Sequence, residues 1–222
     1  MTSLPCRAVL FDMDGVLVDS TAAVARVWAI WARKYGLDPE AVVQIAHGRP
    51  SISTIRELHP SGDHDAEDRE VERLEIEDVE GIVALPGAAE LLRELPASRY
   101  AIVTSATRPL AEVRLRAAGL EVPANLVTAR DAQRGKPNPD PYLMGARILG
   151  VPAAECVVIE DAPSGIRAGK AAGARVVALR STASDPELQD AGADWIVENC
   201  AELALNFKSP GEEFFSLSRR TK

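Results

Sequence analysis

Short apolar runs, each ended by a polar or charged side chain, leave this chain little choice of architecture. Tyr100-Ala101-Ile102-Val103 before Thr104, and Cys156-Val157-Val158-Ile159 before Glu160, are apolar or aromatic at every position rather than at alternate ones. Strands buried on both faces read this way, and such strands belong to parallel sheets covered by helices. The same signal places strands at 7–12, 99–104, 125–128, 155–160, 175–180 and 194–197, with helical patterns such as 88–95 between them. This alternation predicts an α/β fold, a doubly wound parallel sheet.

One stretch breaks the alternation. After Asp19-Ser20, a favourable helix N-cap pair, Val24, Val27, Trp28, Trp31 and Tyr35 fall at i, i+3, i+4, i+7 and i+11, one apolar helix face that ends at Gly36. Asp38-Pro39 opens a second helix that stops at His47-Gly48, and Ile52, Ile55 and Leu58 mark a third closed by His59-Pro60. An acidic helix completes an all-helical insert over 19–82, placed where a lid would sit, while 1–18 and 83–222 form the sheet domain. Residues 207–222, with Pro210-Gly211 and the Phe214-Phe215 pair, read as a flexible tail or one docked through its phenylalanines.

Charge narrows the function. The net charge is −8, but residues 63–80 alone hold ten acidic and two basic side chains, so the remainder balances. With Val71, Leu74 and Ile82 among them, these acids read as one solvated helix face. No basic stripe is present to follow a nucleic-acid backbone, and no apolar run is long enough to span a membrane. Cys6, Cys156 and Cys200 lack any metal-binding spacing and read as reduced thiols. The expectation is a cytoplasmic monomer, with a weak dimer as the alternative.

The chemistry gathers at strand ends, which a doubly wound sheet sets side by side. Asp12 ends the first strand within Asp12-Met13-Asp14-Gly15, Thr104-Ser105 ends the next, Lys136 lies in Gly135-Lys136-Pro137, and Glu160-Asp161 ends the fourth. A DxDG segment by itself reads equally well as a surface turn. Joined by the other three elements, its carboxylates suit a hard cation such as Mg²⁺, while Lys136, Thr104 and Ser105 suit a phosphoryl group. Asp12 is then placed to attack phosphorus, and Asp14 to protonate the leaving oxygen and later activate water. The glycines 165, 169 and 173 recur every fourth residue; the first two leave one bare helix face for close packing, and Gly173 reads as a stop. Lys170 between them reads as solvated.

With DMDGVLVDS, IVTSA, GKPNPDPY and VVIEDAPSGIRAGKAAG in order over 8–180, the chain resembles the haloacid dehalogenase superfamily of phosphohydrolases. The resemblance implies a Rossmann-like core with a helical cap inserted after the first strand. It implies Asp12 as nucleophile, Asp14 as general acid/base, Thr104 and Lys136 as phosphate ligands, and Mg²⁺ held by Asp12, Asp161 and the Asp14 carbonyl, with Glu160 beside them as a further candidate metal residue. A narrower likeness, in the HGRP stretch at 47–50 and the strings around Lys136 and Asp161, is to phosphatases for 2-deoxyglucose 6-phosphate and glycerol phosphate. It makes a small phosphorylated metabolite the expected partner and His47 and Arg49 candidate substrate contacts. His47 fits equally a helix C-terminus, and Arg49 a surface ion pair. After Thr104 the chain departs from those enzymes, with Ser105-Ala106 in place of their usual residues.

Three other readings compete. Dehalogenases of the superfamily need no acid at the position of Asp14, so its presence favours phosphoryl transfer. A phosphomutase of the β-phosphoglucomutase kind carries the same four motifs and differs in how its cap holds a bisphosphate. A phospho-accepting regulatory domain also combines Asp, Thr or Ser, Lys and Mg²⁺, but needs neither a DxD pair nor a lid.

Overall fold

The computed structural model describes residues 3–46, 50–207 and 213–220. The chain begins with β1 (Ser3–Cys6) and β2 (Ala8–Phe11), and a tight loop then leads into β3 (Val18–Asp19). Four helices follow, α1 (Thr21–Lys34), α2 (Pro39–Ala46), α3 (Ser51–Leu58) and α4 (His64–Glu77). The chain returns through β4 (Val83–Ala84), which pairs antiparallel with β3. Alternation then resumes with α5 (Ala88–Glu94), β5 (Tyr100–Val103), α6 (Arg108–Ala117), β6 (Leu126–Val127) and α7 (Asp140–Ile148). It continues with β7 (Cys156–Glu160), α8 (Pro163–Ala171), β8 (Arg175–Leu179), α9 (Asp185–Asp190) and β9 (Trp195–Val197), and ends with β10 (Leu203–Asn206) and β11 (Phe215–Arg219).

Six strands form one parallel sheet in the order β6-β5-β2-β7-β8-β9. Winding starts at β2, runs outward through β5 and β6, and returns to the other side of β2 at β7. At such a reversal the loops after neighbouring strands diverge and open a crevice at their carboxyl ends. Phe11 is level with both Ile102 and Ile159, so Asp12, Thr104 and the Glu160-Asp161 pair emerge along one rim.

The every-residue apolar pattern has the expected cause. Val9 and Phe11 enter one core with Ile102, Val157 and Ile159, while Ala8 and Leu10 enter the opposite core with Ala101, Val103 and Val158. Gly169 lets α8 lie against the sheet, because a Cβ there would come within 2.9 Å of Val176 and 3.2 Å of Val158.

The four helices between β3 and β4 have a core of their own, built on Val27, Trp28, Trp31, Val42, Ile55 and Val71. Trp28 and Trp31 meet edge to face with centroids 5.5 Å apart. The acidic helix α4 is not simply a solvated face: Glu67 and Glu75 are buried. Glu67 accepts the Trp31 indole N–H at 3.2 Å and pairs with His59 Nδ1 at 2.8 Å. An indole N–H enclosed by an apolar core needs an acceptor, and a glutamate on the inner face of α4 supplies it.

Other readings change in detail. The first strand is preceded by a separate one, β1, and the tail is docked: β11 lies antiparallel between β1 and β10. Phe215 and Leu217 are buried there, whereas Phe214 stays exposed. Lys170 is half-exposed and bonded to Asp194 at 2.8 Å instead of being free in solvent. All three cysteines are free and buried, and burial pushes each thiol up to about 12. No helix among the described residues is long and apolar enough to cross a membrane.

Candidate active site

Asp12 leaves β2 with its N–H bonded to the Ile159 carbonyl at 2.9 Å, which fixes its backbone to β7. Lys136 reaches the rim from the loop before α7. Its ammonium donates to Asp12 Oδ1 at 2.6 Å, Glu160 Oε1 at 2.7 Å and the Val103 carbonyl at 3.2 Å. Glu160 is held as fully: Oε1 also accepts from the Tyr142 hydroxyl at 2.9 Å, and Oε2 from the N–H groups of Asp161 and Ala162 at 2.8 and 3.0 Å. Gly165 at the start of α8 makes room for it, since a Cβ there would lie 1.4 Å from Glu160 Oε1. That glycine thus serves the carboxylate, beyond the helix packing expected of it.

Asp12, Glu160 and Asp161 are buried enough that the cost of enclosing charge governs their ionisation. Burial, opposed by Lys136 and reinforced by Glu160 and Asp14, raises Asp12 to about 7. Asp161 is pushed well above its ordinary range by burial and then by the neighbouring carboxylates. Burial works on Glu160 in the same direction, but Lys136 and the two backbone donors outweigh it and hold it below its usual value. For Lys136 burial alone would favour the neutral amine, yet the two carboxylates outweigh it and raise its pKa. Ligand oxygens of the three acids lie within 4.8 Å of one another. One ammonium among three carboxylates leaves surplus negative charge on hard oxygen donors, the situation a divalent cation relieves.

Asp14 sits two residues on in different surroundings. The loop around it is tight, with the N–H groups of Leu17 and Val18 both on the Met13 carbonyl. Gly15 has φ +80°, and a Cβ on it would fall 1.9 Å from Asp161 Oδ2, so side-chain volume and backbone conformation both require glycine. Asp14 Oδ1 accepts the Ser20 hydroxyl at 2.6 Å, and Arg114 Nη1 lies 3.0 Å from Oδ2. Ser20 precedes α1 without capping it; its side chain is turned to Asp14 instead.

A cavity of about 460 Å³ opens between this rim and the helical insert. Asp12, Asp14, Thr104, Ser105, Lys136 and Asp161 all line its lower wall. Thr104 is buried, its Oγ1 accepting the Ala106 N–H at 3.0 Å. Trp28, Ile52, Asp68, Glu72 and Glu75 line the wall contributed by the insert. His47 and Arg49 lie outside the described residues, although Ala46 and Pro50 on either side of them line the cavity.

Four participants were not singled out from the sequence: Ser20, read only as a helix cap; Tyr142, inside a quoted motif but given no role; and Arg114 with Glu75. The signal for Arg114 is a charge on an apolar helix face, since Leu110, Ala111 and Leu115 share its buried side of α6. Glu67 and Glu75 leave the same trace on α4, where they flank Val71 at four-residue spacing.

A family model described as haloacid dehalogenase-like hydrolase matches residues 6–173. The chain is 42% identical to hexitol phosphatase A of Escherichia coli, over 93% of this chain and 97% of that protein. It is 37% identical to glycerol-1-phosphate phosphohydrolase 2 of Saccharomyces cerevisiae, over 89% of this chain and 84% of that one. In fold it resembles β-phosphoglucomutase from Clostridium difficile, with TM-score 0.76 at 22% identity over 90% of this chain and 93% of that one. With the strand-end carboxylates, the lysine and the helical insert in the arrangement described, the chain belongs to the haloacid dehalogenase-like hydrolase family.

Proposed function

We propose that the protein is a Mg²⁺-dependent phosphatase that hydrolyses a small phosphomonoester, a sugar phosphate or glycerol phosphate, through an aspartyl phosphate on Asp12. The observation that carries this reading is the separate fate of the two rim aspartates. Asp12 shares the buried acidic cluster with Lys136, whereas Asp14, held by Ser20 and Arg114, faces the cavity from outside that cluster. The first has the surroundings of a metal-assisted nucleophile, the second those of a proton carrier.

In the first half-reaction an Asp12 carboxylate oxygen attacks phosphorus and the ester oxygen departs with a proton from Asp14. In the second, Asp14 takes a proton from water as that water attacks the aspartyl phosphate, which releases inorganic phosphate and restores Asp12. Lys136 and the Thr104 hydroxyl, with Ser105 beside them, stabilise the non-bridging oxygens. Asp12, Asp161 and the Asp14 carbonyl would hold Mg²⁺. Glu160, with both oxygens engaged, fixes Lys136 rather than serving as a metal ligand. When bound, the cation neutralises charge on the phosphoryl oxygens.

The insert is the cap that covers the substrate, with 1–18 and 83–222 as the catalytic domain. His47 and Arg49 are its candidate contacts to the part of the substrate beyond the phosphate. Among the described residues that the insert places on the cavity wall none is basic, and Asp68, Glu72 and Glu75 on α4 are acidic. Carboxylate oxygens on that wall can accept hydrogen bonds from hydroxyl groups, which supports a polyol or sugar monophosphate as the substrate.

The test is phosphate release from a panel of hexitol, sugar and glycerol phosphates with Mg²⁺. Asp12→Asn is expected to lose at least about 10³-fold in kcat, in line with other nucleophile deletions. Full activity in that variant, or in protein stripped of divalent metal, overturns the reading. Conversion of β-glucose 1-phosphate to its isomer without phosphate release would put the mutase in its place.

A further inference from the structure

Arg114 is an expensive residue to keep where it is. It lies on the buried side of α6, its side chain 7% exposed, and its Nε has no hydrogen-bond partner among the described residues. Enclosing a guanidinium is unfavourable unless its partners offset the lost hydration, and an unpaired buried donor adds to the cost. A leucine or methionine would fill the space between Leu110, Ala111 and Leu115 without that cost.

The guanidinium has two partners from two different parts of the chain. Nη1 pairs with Asp14 Oδ2 at 3.0 Å, in the loop after β2, and Nη2 with Glu75 Oε1 at 3.4 Å, on α4 of the helical insert. A second contact ties the same two helices together, from the Thr107 hydroxyl to Glu72. Glu72 and Glu75 are one turn apart on α4, and Thr107, at the N-cap of α6, lies two turns before Arg114, so the helices meet along a polar seam. Asp14 is meanwhile held on its other oxygen by Ser20, at the entrance to the insert. Both oxygens of this aspartate are thus fixed by residues outside its own loop, and Arg114 joins it to the cap.

We propose that Arg114 is a positioning residue that sets the carboxylate of Asp14, and that Glu75 couples this setting to the docking of α4. The proposal rests on the aspartyl-phosphate reading, in which Asp14 must stand within hydrogen-bond reach of the leaving oxygen. Proton transfer depends steeply on such placement, and a displacement of about 1 Å can cost 10²-fold. With α4 docked, the guanidinium is held from two sides and Asp14 has one setting. With α4 withdrawn to admit substrate, Arg114 loses its second anchor and the setting is released.

The experiment compares kcat/KM for two small substrates in Arg114→Met. Glycerol 1-phosphate has an alkoxide leaving group that needs a proton, whereas acetyl phosphate leaves as acetate and does not. A loss of placement lowers the first by about 30-fold or more and the second by less than about 3-fold. A double variant, Arg114→Met with Glu75→Leu, removes both charges of that ion pair together and tolerates burial better. It is expected to show the same selective loss. In Glu75→Gln the contact between Arg114 and Asp14 survives while docking weakens, so KM for glycerol 1-phosphate should rise more than kcat falls. Equal losses on both substrates in both Arg114 variants would mean a structural role and overturn the inference while leaving the phosphatase reading intact. If glycerol 1-phosphate is not turned over, the panel ester hydrolysed fastest takes its place, and failure of the unsubstituted protein to release phosphate from any panel ester with Mg²⁺ would overturn both.

Discussion

Replacing Lys136 by methionine asks how much of the rim depends on one ammonium. The substitution keeps most of the side-chain length and removes a charge that holds three acceptors: Asp12 Oδ1, Glu160 Oε1 and the Val103 carbonyl. Glu160 keeps Tyr142 and two backbone donors, whereas Asp12 loses its close cation. Two charge-assisted hydrogen bonds, together with the burden of carboxylates left uncompensated in a buried site, amount to about 3–5 kcal/mol. Against a total stability of about 5–15 kcal/mol that is a large fraction, but not certain unfolding. Urea denaturation followed by far-UV circular dichroism, in chelator at pH 8, is the direct measurement. Two further signs are fixed. The deficit relative to the unsubstituted protein should shrink in excess Mg²⁺, because a more negative site gains more from a cation. It should shrink again at pH 6, because Asp12, already raised to about 7 beside Lys136, can take up a proton when the ammonium is gone. A loss under about 1 kcal/mol in chelator, or a deficit indifferent to both Mg²⁺ and pH, would refute the charge accounting on which the site description rests.

The metal-free protein should show the same electrostatics without substitution. A carboxyl at about 7 in the folded chain and about 3.9 when unfolded binds more protons folded between those values, so stability should fall as pH rises from 5 to 7. Asp78, Asp131, Asp140 and Asp185, whose ionised forms are favoured by their partners, lose their contributions only below about pH 4 and do not mask the trend. Thermal melts in chelator test this; a flat or rising profile would refute it. Gly165→Ala should cost about 3 kcal/mol, the upper range for overpacking, because the new methyl meets a glutamate held by four hydrogen bonds. Isothermal titration should also show weakened Mg²⁺ binding in that variant, and a stability change under 1 kcal/mol would mean Glu160 is freer than its bonds imply.

Much of this molecule could be read from the chain because its decisive signals are local. The four central sheet strands announce themselves in four or five residues each, and Asp12, Thr104, Lys136 and Asp161 each stand at the end of such a signal or in the loop before a helix. What escaped notice depends on distant partners. β1 and β11 are short and acquire strand character from pairing with each other across the length of the chain. Ser20 has the residue type of a helix cap, and only the approach of Asp14 gives its hydroxyl another acceptor. Glu67 and Glu75 disappeared into the average of an acidic helix, although their spacing with Val71 marks the inner face. Arg114 was not singled out either; its trace is a charge in an apolar stripe, and which carboxylates meet it depends on how α4 and α6 cross.

The ribbon of β3 and β4 has a consequence for how such a protein changes over generations. Val18 is opposite Ala84 and Asp19 opposite Val83, so the helical module leaves and re-enters the sheet domain at hydrogen-bonded neighbours. The entropy of closing a loop grows only with the logarithm of its length, so a junction of this kind is nearly indifferent to what hangs from it. The module can be lengthened, shortened or exchanged as a cassette while the strands that carry Asp12, Thr104 and Asp161 keep their register. Selection can therefore rewrite which molecule is recognised while the phosphorus–oxygen bond is broken as before, so long as the new module still presents a carboxylate to Arg114 where Glu75 now stands.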